Sequence, residues 1–277
     1  TELFDAFDIL YPYDIWPLYE QTVQGKLPLS PLFDAFNFQE LSFRTEYNKL
    51  RCLENHDQAR AAALFPEEAQ LLAWTALSYF LKGTTLLYAG QEVCATHTPS
   101  LFEKEPIDWH AGRDISAYLA KLAAVKKQLP TEALFHLDTD DAQGIVCGSY
   151  IAPAQRAVGV FPLTGKPGTV AVPLADGTYT DALSGEAVTV AEGKLHVGTK
   201  AIILLSPRTP RRVSPGGALF YRAQTQCSCE VCKNAFNSSA NAGKNSDTRP
   251  RPAISGSIKR FLAKITRRSA AGASASA

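Results

Sequence analysis

The sequence predicts two folded parts of different class followed by a tail: an α/β part over residues 1–131, a small antiparallel β-sandwich over 132–206, and a basic, low-complexity stretch over 207–277. Three observations predict this. Strand-like and helix-like signals alternate with short joins as far as about residue 130, the pattern of parallel βα units. From about residue 132, short strand signals recur roughly every dozen residues between Gly, Pro and Asp turns, the pattern of an all-β sandwich. After Leu205 both patterns stop and the charge changes sign. From Pro207 onward there are 13 Lys/Arg and 2 Asp/Glu, against 15 and 25 before it, so the overall +1 averages an acidic body of −10 and a basic tail of +11.

Taken in order, Phe7-Asp8-Ile9-Leu10-Tyr11 reads as a short strand. Leu50-Arg51-Cys52-Leu53 reads as another, running into polar Glu54-Asn55-His56-Asp57. The clearest helix comes next. Pro66 suits its first turn, Glu67 and Glu68 suit the positive end of its dipole, and Leu72, Ala73, Ala76, Leu77 and Phe80 form one apolar face. Lys82 and Gly83 close it. Thr84–Ala89, apolar on both faces, reads as a parallel strand covered on both sides. Asp114 is placed to cap a second helix with the stripe Ile115, Leu119, Leu122 and Val125, stopped by Pro130. In parallel βα folds the chemistry sits where strands end and helices begin, which puts Glu54–Arg60 and Gly90–Trp109 at the functional rim.

The β part is expected to hold strands at Gly144–Tyr150, Arg156–Phe161, Thr169–Pro173, Ala187–Val190, Leu195–Val197 and Ala201–Leu205, and to fold on its own. The tail is poor in large apolar residues and reads as disordered. Its Cys227, Cys229 and Cys232 come without a histidine, one ligand short of a tetrahedral zinc site. The run Lys259–Arg268 has too narrow an apolar face for a membrane or nucleic-acid module, and the abrupt change of composition fits a non-native extension better. No apolar run reaches about 18 residues, so no transmembrane helix is expected. Cys52, Cys94 and Cys147 are scattered and make no disulfide framework, which favours a reducing, cytoplasmic setting. The chain contains no Met and opens directly into Leu3-Phe4-Asp5-Ala6-Phe7, which reads as the start of a fragment.

The strongest motif is Leu53-Glu54-Asn55-His56-Asp57-Gln58-Ala59-Arg60. Asn, His, Asp and Arg crowded at a strand end are costly to bury without partners and suit sugar hydroxyls: the carboxylate accepts two hydrogen bonds, and His and Arg donate. Asn55-His56-Asp57 resembles the fourth signature region of the α-amylase family, on the seventh strand of its (β/α)₈ TIM barrel. The extension Gln58-Ala59-Arg60 is similar to the α-glucosidase-like members. Phe7–Asp14 resembles the sixth strand and its exit, and Gly83–Glu92 the eighth, with Thr85 where the family usually has proline. Ile107-Asp108-Trp109 and the helix ending at Lys126-Lys127 resemble the family's segment after the eighth strand, and Tyr179–Glu186 the C-terminal β-domain.

The resemblance implies the C-terminal part of the barrel, about strands six to eight, and a retaining glycoside hydrolase acting on α-linked oligosaccharides or polysaccharides. It makes Asp57 the transition-state stabiliser and His56 a binder of a neighbouring hydroxyl. Arg60, also at the substrate, would orient Asp57 or the nucleophile. The family's nucleophile and acid lie on the fourth and fifth strands, for which this chain has no counterpart. Glu54 and Glu92 are expected to orient Arg60 or other rim groups. No metal, cofactor, nucleic acid or membrane partner is implied; the family's structural calcium involves the other half. The rival reading is a non-catalytic carbohydrate-binding or partner subunit. Trp74 is expected in packing, Trp109 as a loop anchor, and His97, His136 and His196 in structural or surface settings. For Tyr11 and Tyr13, lining the site and packing in the core stay equally open.

Overall fold

The structure, a computed structural model, describes residues 2–43, 47–110, 112–130, 132–152 and 155–207. They fall within one compact unit, Thr1–Arg208. The disorder expected for 207–277, its three cysteines and its basic run therefore lie outside the described residues, save for Pro207.

The α/β part holds helices α1 (Trp16–Val23), α2 (Ser30–Ser42), α3 (Ala61–Leu64), α4 (Glu68–Phe80) and α5 (Ser116–Lys126), with strands β1 (Leu50–Arg51) and β2 (Thr84–Thr85). β1 and β2 pair in parallel, Leu50 opposite Thr84 and Arg51 opposite Thr85. The strand expected at Phe7–Tyr11 is reduced to one parallel bridge, Leu10 to Lys49. The strand expected over Thr84–Ala89 is two residues long, with Thr84 and Thr85 part-buried and Leu87, beyond its end, 40% exposed. Among the described residues β2 pairs with β1 alone. Gly83 makes the approach of β2 to β1 possible: its φ is +122°, and a Cβ there would lie 2.3 Å from the Lys49 carbonyl.

Helices α1 and α2 fall where the sequence reading placed no element. Pro17 and Pro31 start them, supplying a preset φ where no N–H is needed. α4 begins as expected with Glu68 in its first turn, but it is buried on nearly every side from Ala73 to Phe80 rather than along one stripe. Aromatic residues explain one side: Trp74 stacks on Phe65 at 5.3 Å and meets Tyr19 and Phe33. The other side lies on the β part. In α5, Asp114 accepts a hydrogen bond from the Ser116 N–H at 2.8 Å, and the stripe Ile115, Leu119, Leu122 and Val125 is buried as expected.

The β part has two four-stranded antiparallel sheets. One runs in the order β10 (Ile202–Pro207), β5 (Gln155–Pro162), β4 (Ile145–Ile151), β3 (Leu134–Asp140). The other is β6 (Gly168–Ala171), β9 (Lys194–Val197), β8 (Ala187–Ala191), β7 (Gly177–Thr180). β3 and β7 were not anticipated; the six expected strands are present with shifted ends. Ile145, Cys147, Val158, Val160, Val190, Leu195 and Val197 fill the space between the sheets. Asp181, buried after β7, accepts hydrogen bonds from the backbone N–H groups of Leu183, Ser184 and Ile203 and from the Ser184 hydroxyl. It thereby fixes the Asp-Ala-Leu-Ser-Gly-Glu turn to β10 of the opposite sheet.

The expected boundary near 131 is crossed by the core. Gly148 and Gly159 stand opposite each other in β4 and β5, and a Cβ on Gly148 would lie 2.6 Å from Phe80. The bare glycine floor lets Phe80 lie against the sheet, where its ring meets Phe161 and Tyr150 at 5.2 Å each. The Tyr150 hydroxyl donates to the Phe80 carbonyl at 2.8 Å. Asn37 of α2 donates to the Leu137 carbonyl at 2.8 Å and accepts from the Leu137 N–H at 3.0 Å, so one side-chain amide stands in for a neighbouring strand along β3.

Phe80→Ala is expected to cost about 3–5 kcal/mol by opening a cavity under the sheet. Urea unfolding followed by tryptophan fluorescence (all three tryptophans precede residue 131) and by far-UV circular dichroism should show one shared transition moving to lower urea. A β-sheet transition at its original midpoint would mean that the β part folds without α4.

A second expectation concerns alkaline pH. Burial pushes the Cys52 thiol up to about 11 and Cys147 up to about 12, and raises the phenols of Tyr19, Tyr47 and Tyr150. Each folded-state value lies above the unfolded one, so the unfolded chain releases these protons first and stability is lost as pH rises past the unfolded thiol and phenol values. Burial moves the basic groups the other way, lowering Lys49 and Arg51 and taking Lys126 down to about 8, so each adds stability with rising pH up to its ordinary value. The buried thiols and phenols outnumber the two lysines above about pH 10. The urea midpoint should fall between about pH 10 and 11, and a flat or rising midpoint there would refute the burial of these groups.

Candidate functional site

The site forms where β1 ends. The chain leaves buried Leu53, and the Asn55 side chain, itself 1% exposed, accepts the Asp57 N–H at 2.8 Å. This turn, closed by the Gln58 N–H on the Asn55 carbonyl, swings the next two side chains outward. His56 and Asp57 are 53% and 45% exposed, with His56 Nε2 3.4 Å from Asp57 Oδ2. The same oxygen accepts the Tyr13 hydroxyl at 3.2 Å. Tyr13 arrives from the segment after the Leu10–Lys49 bridge, so two neighbouring strand ends converge on one carboxylate. Burial and the Asp57 carboxylate together raise the Tyr13 phenol, keeping it a neutral donor. Among the described residues, Asp57 Oδ1 has no hydrogen-bond donor.

Arg60 lies elsewhere. It is 1% exposed, beneath the rim rather than on it, and does not reach Asp57. Its Nη1 donates to Glu54 Oε1 at 2.7 Å and to the Ala89 carbonyl at 2.8 Å. Its Nε donates to the His97 carbonyl at 3.1 Å, and its guanidinium covers the Tyr88 ring at 4.5 Å. The second Glu54 oxygen accepts the Ala61 N–H at 2.6 Å, at the start of α3. Burial pushes the Glu54 carboxyl above its ordinary value while Arg60 and the Ala61 N–H pull it down. Glu54 thus orients Arg60, and Arg60 ties the end of β1 to the loop after β2.

That loop has its own constraints. Gly90 has φ +94°, and a Cβ there would crowd Ile107 and Arg60 at 3.2 and 3.3 Å. Glu92 accepts the Gly90 N–H at 2.8 Å and so braces the turn. The His97 ring is exposed and lies 2.9 Å from Glu105, whose carboxyl it holds below the ordinary carboxylate range. Trp109, expected as a loop anchor, is half-exposed. Trp74 is in the core, and His136 and His196 pair with Asp138 and Thr169 on the β part. Among the described residues no group of three or more His, Cys, Asp or Glu is placed to hold a metal ion, and no helix is long and apolar enough to cross a membrane. The three described cysteines are free thiols.

Residues 136–204 match the family model of the bacterial α-amylase C-terminal domain. An α-amylase from Lactobacillus plantarum superposes with a TM-score of 0.69 at 32% identity, over 74% of this chain and 49% of that one. The chain belongs to the α-amylase family. Two further α-amylase-family structures share its fold. A maltogenic α-amylase from Thermotoga neapolitana matches with a TM-score of 0.68 at 21% identity, over 75% of this chain and 53% of that one. An α-amylase from Geobacillus thermoleovorans, solved with acarbose, matches with a TM-score of 0.58 at 20% identity, over 70% and 48%. The chain therefore spans about half the length of these α-amylase-family structures, at 49%, 53% and 48%. Among curated proteins no sequence matches it.

The sequence reading missed Tyr13 as a partner of Asp57, although a tyrosine at a strand exit beside the motif was a usable signal. Arg60, expected at the substrate and as the group that Glu54 orients, lies six residues from Glu54, a spacing that lets the two close a buried pair across the turn. Arg60→Met should leave Glu54 buried without its cation and cost about 3–5 kcal/mol. Glu54→Gln keeps only one acceptor oxygen, sets an –NH2 group against either the Arg60 Nη1–H or the Ala61 N–H, and removes the countercharge of buried Arg60, so it should be destabilising as well. Limited proteolysis of Arg60→Met should open a new site within residues 91–110; an unchanged cleavage pattern would show that Arg60 does not secure this loop.

Proposed function

We propose that the chain supplies part of the active site of a retaining glycoside hydrolase acting on α-glucans or α-glucosides, with the α/β part as about strands six to eight of a (β/α)₈ barrel and residues 132–206 as its C-terminal β-domain. The observation that carries this reading is the setting of Asp57. It stands exposed at the exit of a parallel-paired strand, with one oxygen held by His56 and Tyr13 and the other open to a ligand. A carboxylate held there suits the positive charge of an oxocarbenium-like transition state. His56, exposed beside it, binds a neighbouring hydroxyl. Arg60 acts one layer below, through the rim it secures.

Retaining chemistry needs two further carboxyl groups about 5–5.5 Å apart, one to attack the anomeric carbon and one to protonate the departing oxygen and then activate water. Neither Glu54 nor Glu92 suits these roles. Glu54 is sealed against Arg60 and Ala61, and Glu92 is turned onto the Gly90 N–H. The nucleophile and acid belong to the strands that the family places before these three, outside this chain.

Two assays test the reading. The chain alone should release no nitrophenol from a nitrophenyl α-glucoside and no reducing sugar from maltotriose or starch. In a protein carrying the remaining barrel strands, Asp57→Asn should lower kcat by about 10²–10³-fold with little change in stability. Turnover by the chain alone that disappears in Asp57→Ala would force Glu54 or Glu92 into catalysis. Near-normal turnover in Asp57→Asn would remove Asp57 from the site. Glucan binding without turnover, even when the other strands are supplied, would make the protein a carbohydrate-binding subunit instead.

A further inference from the structure

Tyr11 and Tyr13 flank buried Pro12 and stack on each other, ring centroids 5.1 Å apart and 11° from parallel. Both are partly open to solvent, at 40% and 44% exposure. The facing sides of the two rings cover each other, and the rest of the stack meets solvent beside the Asp57 carboxylate. The pair is also rigid. Lys49 Nζ donates to the Tyr11 carbonyl at 3.3 Å and is itself held by Asp14 at 2.9 Å. The Ile15 N–H closes a turn on the Pro12 carbonyl at 3.0 Å. Inward from Tyr13, a chain of ring contacts runs through Trp16 at 6.1 Å and Tyr19 at 4.8 Å to Trp74 at 5.8 Å. The exposed rings are therefore the outer end of an aromatic ladder whose inner end is the core.

We propose that Tyr13 positions Asp57 through its hydroxyl and that the Tyr11–Tyr13 stack is the platform on which a glucosyl ring held by Asp57 packs its apolar face. This rests on the reading of Asp57 and His56 as a glucan site. A pyranose ring offers hydroxyls at its edge and C–H groups on its faces. It suits a site where a carboxylate with one open oxygen stands next to an aromatic surface. The hydroxyl matters separately from the ring. Asp57 sits on an exposed turn, and without Tyr13 it keeps only the 3.4 Å contact with His56. A charge-assisted bond from a fixed phenol holds the carboxylate in one rotamer before the ligand arrives.

The test is isothermal titration of the full chain with maltoheptaose, with circular dichroism confirming that each variant stays folded. Tyr13→Phe keeps the ring and loses the donor, and should weaken binding about five- to tenfold. In an Asp57→Asn background, where the charge that the phenol holds is gone, the same change should cost under about twofold. A purely structural role for Tyr13 would not show this coupling. Tyr13→Ala should weaken binding further than Tyr13→Phe. Tyr11→Ala should weaken binding while Tyr11→Phe leaves it unchanged, because only the ring of Tyr11 is used. Equal losses from Tyr13→Phe in both backgrounds would overturn the positioning role. Binding that is sensitive to Asp57→Asn but indifferent to Tyr11→Ala and Tyr13→Ala would overturn the platform and leave the glucan site standing. No binding by the unmutated chain, or binding indifferent to Asp57→Asn as well, would overturn the site itself.

Discussion

A buried guanidinium must find partners for its donors and a countercharge, and Arg60 finds them on three separate stretches of chain. Glu54 before the turn, the Ala89 carbonyl after β2 and the His97 carbonyl in the following loop all meet it, and Tyr88 lies across its face. Removing Glu54 would leave a charge, and removing either carbonyl an unpaired donor, in a place that water does not reach, which is what makes the arrangement specific. The exposed residues above inherit their positions from it. Because Arg60 is satisfied below, the Asp57 carboxylate is left facing solvent with only His56 and Tyr13 on it.

The same demand for satisfied polar groups shapes the β part. Each of its two sheets ends in an edge strand that would otherwise present unpaired backbone, and a side-chain amide answers each. Asn37 reaches from α2 to both backbone groups of Leu137, and Gln143 does the same for Thr169, donating to its carbonyl and accepting from its N–H at 2.9 Å each. Gly168 lacks a Cβ that would otherwise lie 2.5 Å from the Gln143 oxygen. An amide side chain copies one peptide unit and cannot extend a ladder, so it blocks the edge without inviting a further strand. Through Asn37 and Phe80 the edge and face of the first sheet are both spoken for by helices of the α/β part, and the two parts share one core.

Much of this was legible in the sequence where local chemistry sets the outcome. The limits of α4 followed from Glu67, Glu68, Lys82 and Gly83. The Ile115–Val125 stripe is buried as its spacing required, and six of the eight sandwich strands stand where alternation and turns placed them. Where long-range packing decides, the reading fell short. Apolar Thr84–Ala89 looked like a covered strand, yet strand length depends on neighbours that a local pattern cannot report. α1 and α2 carry aromatic residues on several sides, so no single stripe marked them, and β3 is defined mainly by its partners β4 and Asn37.

The sequence by itself determined the two classes of structure, the charge break before the tail, and the polar cluster at residues 54–60 with its resemblance to the α-amylase family. These depend on residue order within a few turns or strands, where periodicity, turn chemistry and helix-end preferences act directly. Only the tertiary structure decided the roles inside that cluster. It buried Glu54 and Arg60 against each other, turned His56 and Asp57 outward, and brought Tyr13 to Asp57 across 44 residues. Side chains with the same capacity to carry charge were divided between scaffold and site by burial. Burial depends on what the rest of the chain packs against them.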